Sequence, residues 1–267
     1  PPCRGLHQRT GKARSAVSAG KGSAVLRFLL SLNPMTRLDP SRIRAITLDL
    51  DDTLWPIWPT IARAETVLQT WLQTHAPATA ALCTDRNTMR EVREHMVTQR
   101  QDLAHDLAAL RRESIRLLLQ RGGDDTALAE PAFEVFFAER QRVELFADVL
   151  PALDFLSARF PLVALTNGNA DIGRVGLGQY FKAALTARDF GVGKPDPRIF
   201  HAAAQAVGVQ PAEVLHIGDD AHLDGVGGLN AGMQFAWVNR EGHEWPHAPL
   251  QPHLTVAELT SLCTALG

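Results

Sequence analysis

The sequence predicts an α/β protein, with a doubly wound parallel sheet and an inserted all-helical domain. Short apolar runs alternate with helical patterns in residues 41–58 and again after residue 146, which is typical of a parallel sheet covered on both faces. Between these parts, apolar side chains recur at helical spacing and no strand pattern appears. Several apolar runs end in polar residues, and a parallel sheet brings such ends to one edge.

The first predicted strand ends in a cluster of carboxylates. Residues 44–48 form an apolar, partly β-branched run, and an apolar core would not accept the following acids unpaired. Asp49 and Asp51 are two residues apart, so an extended chain directs both side chains to one side. Such a pair needs a shared proton or a cation, and Mg²⁺ with a phosphate satisfies that need. Alternatively, Asp52 and Thr53 simply cap the segment that follows.

The other predicted strands follow the inserted domain. They are expected at residues 162–165, 183–187, 214–217 and 234–238, with a further one at 253–256. Residues 151–160 are predicted to form a helix just before the strand at residues 162–165. A later helix is expected to begin with Asp196 as its N-cap and Pro197 at its first position.

The inserted helical domain is predicted at residues 59–145, between two parts of the sheet domain at residues 41–58 and 146–267. Its helices are expected at residues 61–75, within 86–121 as one long or two consecutive helices, and at 131–145. Pro56 and Pro59 predict a linker before the first of these helices, because proline breaks regular structure.

Residues 1–40 are predicted to be a disordered leader without a role in chemistry. Residues 1–38 carry seven Lys or Arg and no acid, which resembles an organelle transit peptide. The alternative is a stretch upstream of a natural start at Met35.

Charge and cysteine content limit the classes of partner. Residues 39–267 carry 20 basic and 29 acidic residues, and this acidic body argues against nucleic acid as a partner. Cys3, Cys83 and Cys263 have no metal-ligand spacing, so a reduced, cytoplasmic protein is expected. No apolar run reaches the length of a membrane span. A monomer or a homodimer is expected.

Chemically capable residues follow three of the predicted strands and one loop. Because parallel strands end at a common edge, we expect four carboxylates, a hydroxyl and a lysine to meet there. The carboxylates belong to Asp49, Asp51, Asp219 and Asp224, the hydroxyl to Thr166, which Asn167 follows, and the lysine is Lys194.

This ordered set resembles the haloacid dehalogenase superfamily of phosphotransferases, from about residue 43 to the C-terminus. The four motifs match as Asp49-Leu50-Asp51-Asp52-Thr53, Thr166-Asn167, Lys194-Pro195, and Gly218-Asp219 with Asp224. The inserted helices match the helical cap of that superfamily. The resemblance implies Mg²⁺-dependent hydrolysis of a small phosphomonoester through an aspartyl phosphate.

The resemblance also implies a role for each motif residue. Asp49 is expected to be the nucleophile and Asp51 the general acid and base. Thr166, Asn167 and Lys194 are expected to bind phosphate. Asp49, the backbone carbonyl of Asp51, and Asp219 are the expected metal ligands, with Asp224 and Asp220 behind them.

Specificity is expected to reside in the helical cap, because the core motifs contact only phosphate and metal. Within the superfamily, residues 162–169, 176–181 and 214–220 resemble bacterial phosphatases acting on flavin mononucleotide and 5-amino-6-(5-phospho-D-ribitylamino)uracil. Arg111 is the expected substrate contact in the cap; the alternative is a solvated helix face with ion pairs to Glu113 or Glu94. Trp55 and Trp58 either stack on a flat ring or pack between cap and core.

Other reactions of the same superfamily remain alternatives. Hydrolysis of phosphoglycolate or of a sugar phosphate would use the same motifs, and so would a phosphomutase reaction. A 2-haloacid dehalogenase is disfavoured by Asp51, because no alkoxide needs protonation in that reaction. A phosphonatase would need a cap lysine, and residues 56–145 contain none. A receiver-type signalling domain has no place for the helical insertion, and a catalytically inactive binding protein would not need every motif residue.

Overall fold

The computed structural model describes residues 37–267, whose centre is a six-stranded parallel sheet. The predicted leader, apart from residues 37–40, lies outside the described residues. The strands are β1 (Ala45–Leu48), β2 (Leu162–Thr166), β3 (Phe181–Thr186), β4 (Val214–Gly218), β5 (Gln234–Val238) and β6 (Leu254–Val256). Their order across the sheet is β3-β2-β1-β4-β5-β6. The predicted parallel sheet is therefore confirmed.

Strand β1 lies in the middle of the sheet, between β2 and β4. Leu48, its last residue, is opposite Ala164 of β2 and Ile217 of β4. The strand order reverses direction at β1, and open α/β sheets place their ligands at such a switch point. The residues after β1, β2 and β4 thus share one edge.

Helices cover both faces of the sheet. One face packs Leu48, Leu153 and Leu156 into a buried cluster, and the other packs Val163 with Phe200. Burial on both faces explains the nearly continuous apolar sequence of the central strands. The helices are α6 (Val149–Ser157), α7 (Ala187–Phe190), α8 (Pro197–Ala206), α9 (Gly227–Asn230) and α10 (Leu259–Leu266). Asp196 caps α8 and Pro197 begins it, as predicted.

The insertion between β1 and β2 is helical and has a core of its own. Leu68, Leu72, Leu119, Phe133 and Phe136 belong to one buried cluster that is separate from those on the sheet. The helices are α1 (Ile57–His75), α2 (Pro77–Leu82), α3 (Arg86–Gln99), α4 (Leu107–Gly122) and α5 (Ala129–Arg140). The prediction of an inserted all-helical domain is confirmed.

Two predicted element ends in the insertion are wrong. Helix α1 begins at Ile57, and Pro59 lies in its first turn, where backbone N–H groups have no helical partner to lose. Thus the linker is shorter than its two prolines suggest. The helix predicted at 131–145 ends at Arg140, and the following residues run to the sheet without regular structure.

Among residues 37–267, none of the helices combines the length and the hydropathy needed to span a bilayer.

Candidate active site

Asp49 follows the central strand directly, and its carboxylate is buried against a lysine. The Lys194 ammonium donates to Oδ1 of Asp49 and, over 2.6 Å, to Oδ1 of Asp224. Burial acts to lower the pKa of Lys194, but Asp224 and Asp49 outweigh it and raise that pKa. Lys194 therefore stays a cation between two carboxylates.

Asp224 is the most strongly held carboxylate of the site. Burial alone would raise its pKa, but Lys194 and His216 lower it to about 2. His216 Nε2 lies 3.0 Å from Asp224 Oδ1, and His216 Nδ1 lies 2.8 Å from the Thr47 hydroxyl. The backbone N–H of Asp220 donates to the other Asp224 oxygen over 3.1 Å. With three partners, Asp224 mainly anchors Lys194.

Asp219 follows β4 and lies close to Asp49. The Thr53 hydroxyl donates to Asp219 Oδ1 over 2.9 Å, and Trp237 Nε1 donates to the Asp219 carbonyl over 2.7 Å. Burial and the neighbouring Asp224 raise the pKa of Asp219 to about 7. Burial likewise raises the pKa of Asp49 well above its ordinary value, although Lys194 opposes this. Without a further cation, the pair therefore favours keeping a proton.

These carboxylates fit a divalent metal ion. Asp49, Asp219 and Asp224 each offer an oxygen within 4.8 Å of the other two. Three acids face one lysine, and burial, with neighbouring carboxylates adding to it, raises the pKa values of Asp49 and Asp219. An all-oxygen set is what Mg²⁺ prefers. Because Asp224 is held by Lys194 and His216, Asp49 and Asp219 are the more available ligands.

Asp51 points away from this cluster, toward the helical insertion. Its Oδ1 accepts from Trp55 Nε1 over 2.8 Å and from Arg140 Nη2 over 2.6 Å, while Oδ2 accepts from the same Arg140 nitrogen over 2.8 Å. Trp55 is fully buried, so of the two tryptophans only Trp58, 73% exposed, is accessible for stacking. The idea that Trp55 stacks on a ring is wrong.

Thr166 and Asn167 lie beside the carboxylates at the end of β2. The Thr166 hydroxyl accepts from the backbone N–H of Gly168 over 2.8 Å. The Asn167 side chain accepts from the Lys194 N–H over 2.7 Å and donates to the Lys194 carbonyl over 2.8 Å. The side-chain amide of Asn167 thus holds the Lys194 loop.

Asp52 and Asp220 form turns. Asp52 has a φ of +59°, and its carboxylate accepts from the Ile57 N–H over 2.9 Å at the start of α1. Asp220 accepts from the N–H groups of His222 and Leu223, both over 2.7 Å, and thereby caps the short π-helix Ala221–Val226. Asp220 acts on the site through its own N–H bond to Asp224.

A cleft of about 510 Å³ lies between the insertion and the sheet edge. Its wall includes Asp51, Arg140 and Arg111. Arg111 lies over the Phe136 ring at 4.3 Å and 3.3 Å from Glu65, so the alternative of a solvated helix face paired with Glu113 or Glu94 is wrong. Burial and neighbouring Arg93 lower its pKa to about 10, which leaves it charged at neutral pH.

Three functional neighbours were not assigned from the sequence. Arg140 contacts Asp51 across 89 residues of chain, and nothing in its local sequence marks it. Thr53 has a buried hydroxyl, and its place within the first motif could have marked it in the sequence. His216 lies fully buried within β4, where nothing in the local sequence distinguishes it from an ordinary core histidine, yet its partner is Asp224 of the site.

Comparison with known proteins agrees with this geometry. The haloacid dehalogenase-like hydrolase family matches residues 43–232, and the chain belongs to this family. A relative in Escherichia coli, the 5-amino-6-(5-phospho-D-ribitylamino)uracil phosphatase YigB, is 33% identical over 84% of this chain and 97% of its own length. The phosphoserine phosphatase of Thermus thermophilus is 34% identical, over 58% of this chain and 64% of its own.

Solved structures give the same fold. A structure titled 2-haloacid dehalogenase from Pseudomonas syringae is 36% identical, with a TM-score of 0.78 over 84% of this chain and 98% of that one. The family match and the phosphatase relatives together identify the chain as a phosphoric monoester hydrolase of this family.

Proposed function

We propose that this enzyme hydrolyses a small phosphorylated metabolite in a Mg²⁺-dependent reaction, with Asp49 as the nucleophile. The observation that carries the proposal is the position of Asp49: it ends the central strand, contacts Lys194 and lies among carboxylates suited to a metal. We place the metal on Asp49, Asp219 and the backbone carbonyl of Asp51. When bound, Mg²⁺ would neutralise charge on the carboxylates and on the phosphate oxygens.

In the first half of the proposed reaction, an Asp49 oxygen attacks phosphorus and the bond from phosphorus to the ester oxygen breaks. The electron pair stays on the ester oxygen, which takes a proton from Asp51. Thr166 and the N–H of Asn167 hold phosphate oxygens, and Lys194 offsets charge on Asp49 and the phosphate.

In the second half, water attacks the phosphorus of the aspartyl phosphate and gives a proton to Asp51. The bond from phosphorus to Asp49 breaks, which restores the Asp49 carboxylate and releases inorganic phosphate. Asp224 does not contact the reacting atoms in this scheme. It orients Lys194, with which it pairs at 2.6 Å.

The cleft supports a substrate with a flat ring and polar edges. Three of its lining residues, Trp58, Val97 and Leu107, are unusually exposed for large apolar side chains, at 73%, 54% and 45%. Exposed apolar groups that share a cleft indicate a ligand that covers them. Arg111 on the same wall offers donors to ring carbonyls. We therefore place first 5-amino-6-(5-phospho-D-ribitylamino)uracil, which the name of the Escherichia coli relative gives as its substrate, together with flavin mononucleotide, which also has a flat ring with polar edges.

A substrate as small as phosphoglycolate would leave most of a 510 Å³ cleft unfilled, and so would phosphoserine. Dehalogenation is the second candidate, since the Pseudomonas syringae structure carries that title. A dehalogenation reaction, however, would give Asp51 no role as an acid. The proposals of a monomer or homodimer and of a cytoplasmic location are retained.

The test is phosphate release from a panel of phosphomonoesters, with Mg²⁺ and then with chelator. The panel contains flavin mononucleotide, the ribitylaminouracil phosphate, phosphoserine, phosphoglycolate and sugar phosphates, with 2-chloropropionate and halide detection beside it. Mg²⁺-dependent release led by the two ring compounds is expected. Release led by phosphoglycolate or a sugar phosphate would reject the ring substrates, and halide release without phosphate release would reject the reaction.

A further inference from the structure

Arg140 is a residue of the helical insertion whose guanidinium reaches the sheet edge. It is the last residue of α5, and its Nη2 donates to both oxygens of Asp51 over 2.6 and 2.8 Å. The Arg140 side chain is only 2% exposed, against 21% for Asp51. The insertion thus contacts the proposed acid and base directly.

This ion pair is poorly explained as a device for stability alone. A buried guanidinium is costly unless its donors are paired, yet Nη1 of Arg140 is buried without a partner among the described residues. A buried donor that is left without an acceptor lowers stability. Each buried unpaired group in a native structure needs an explanation, and a catalytic role is one such explanation.

Asp51 is held on two further sides. Trp55 Nε1 donates to Oδ1 over 2.8 Å. Gly168 lies so close that a Cβ atom there would clash with Asp51 Oδ2, so a larger residue would displace the carboxylate. Asp52 is a nearby acid whose charge interacts with that of Asp51, and this like charge would push Asp51 away from a fixed position. Arg140 is the cation that opposes this displacement.

We propose that Arg140 is a positioning residue, which holds the Asp51 carboxylate where it exchanges a proton with the leaving oxygen and later with water. The inference rests on the proposed function of Asp51. Because Arg140 belongs to the insertion and also lines the substrate cleft, it links the position of the insertion to the position of Asp51. Arg140 itself forms and breaks no bond in the reaction.

The test compares two aryl phosphates of similar shape that differ in leaving group. p-Nitrophenolate leaves without a proton, whereas phenolate is more basic and benefits from proton transfer. The readout is the ratio of kcat/KM for p-nitrophenyl phosphate to that for phenyl phosphate. We use kcat/KM because it reports the step in which the leaving group departs, whichever step limits kcat. General acid catalysis contributes about 10²–10⁴-fold, so Asp51→Asn is expected to raise the ratio strongly.

Arg140→Gln is expected to raise the same ratio by about tenfold or more, and to change it little further in an Asp51→Asn background. Arg142→Gln is the matched control, because Arg142 is two residues away, 78% exposed and paired only with Glu139 among the described acids. Its ratio should equal that of the wild type. Arg140→Lys keeps the buried charge if Gln prevents folding, and should give an intermediate ratio.

The outcomes separate the two claims. If the wild type releases no phosphate from either ester, the proposed function fails and this inference fails with it. If Asp51→Asn raises the ratio but Arg140→Gln and Arg140→Lys keep the wild-type ratio, only the role of Arg140 is overturned. Equal losses on both esters would also overturn it, since a merely structural role lowers both rates together.

Discussion

The Lys194 ammonium lies 2.6 Å from Asp224 Oδ1, and it also binds Asp49 in a region from which solvent is excluded. His216 extends this network to Thr47 within β1. Lys194 therefore links Asp49, after the central strand, to Asp224, after β4. It offsets part of a negative charge that the apolar surroundings would otherwise not tolerate.

Replacing Lys194 by Met should destabilise the protein as well as inactivate it. The change leaves Asp49 and Asp224 buried without their common cation, and breaking a buried ion pair costs about 3–5 kcal/mol. Urea unfolding in the presence of chelator measures the free energy of unfolding of each variant. Lys182→Met, at an exposed position of β3, is the control and should change it by less than about 0.5 kcal/mol. Equal stability of the Lys194 and Lys182 variants would refute the account of the network.

Asp219 should make the metal-free protein less stable as pH rises. Its folded-state pKa of about 7 exceeds the ordinary 3.8, so the folded state holds a proton that the unfolded chain releases earlier. The resulting loss of stability develops between about pH 4 and 7. The substitution Asp219→Asn removes this loss. In chelator, the free energy of unfolding of the variant relative to that of the wild type should therefore rise by roughly 2–4 kcal/mol from pH 4 to pH 7.5.

Asp49 and Asp52, whose pKa values are also raised, add a loss of stability as pH rises, but both proteins contain them, so the difference between the two proteins reports Asp219. His216, whose pKa is lowered by burial, makes stability rise with pH up to about 6.5, in both proteins alike. Asp224, with a pKa of about 2, contributes stability that is lost only below about pH 4. Thermal unfolding of both proteins at several pH values measures the difference. A difference independent of pH would contradict the burial of an uncompensated Asp219 charge.

Asn167 should matter through the Lys194 loop. Asn167→Ala removes two hydrogen bonds to the Lys194 backbone, which should cost about 1–3 kcal/mol and lower kcat/KM about tenfold by loosening the ammonium. Phosphate-release kinetics and urea unfolding check both effects. Asn230→Ala, at an exposed position in α9, is the control. Wild-type kinetics of the Asn167 variant would show that the loop is held by other contacts.

Arg111 should affect the choice of substrate more than the reaction. Arg111→Gln should lower kcat/KM for flavin mononucleotide about tenfold, since a lost charged hydrogen bond is worth about 1.5–3 kcal/mol, and leave p-nitrophenyl phosphate nearly unchanged. Arg112→Gln is the control, because Arg112 lies over Phe133 and pairs with Glu130 outside the cleft lining. Equal losses on both substrates would place Arg111 in a structural role.

The sequence predicted the parts of the site that depend on strand ends. Asp49, Thr166 and Asp219 each follow a buried apolar run, and the parallel sheet brings such ends together without further information. Asp196 and Pro197 were similarly predictable, because a cap acts over a few residues.

The contacts that the sequence did not predict join distant segments. Arg140 meets Asp51 only because α5 packs against α1 and ends at the sheet edge, and no pattern within residues 129–140 reports that. Trp55 donates to Asp51 only four residues away, but its burial depends on distant members of the same core cluster, such as Val149. The start of α1 was missed because proline is tolerated in a first turn.

The central claim is that Asp49 is the nucleophile of a Mg²⁺-dependent phosphatase. The most direct measurement is phosphate release from p-nitrophenyl phosphate by the wild type with Mg²⁺, the wild type with chelator, and Asp49→Asn with Mg²⁺. Asp52→Asn, the same change at a turn residue whose φ of +59° asparagine tolerates, is the control. Only the wild type and the Asp52 variant with Mg²⁺ should turn over, and Asp49→Asn should lose at least about 10³-fold. Undiminished turnover by Asp49→Asn, or by the wild type in chelator, would contradict the account.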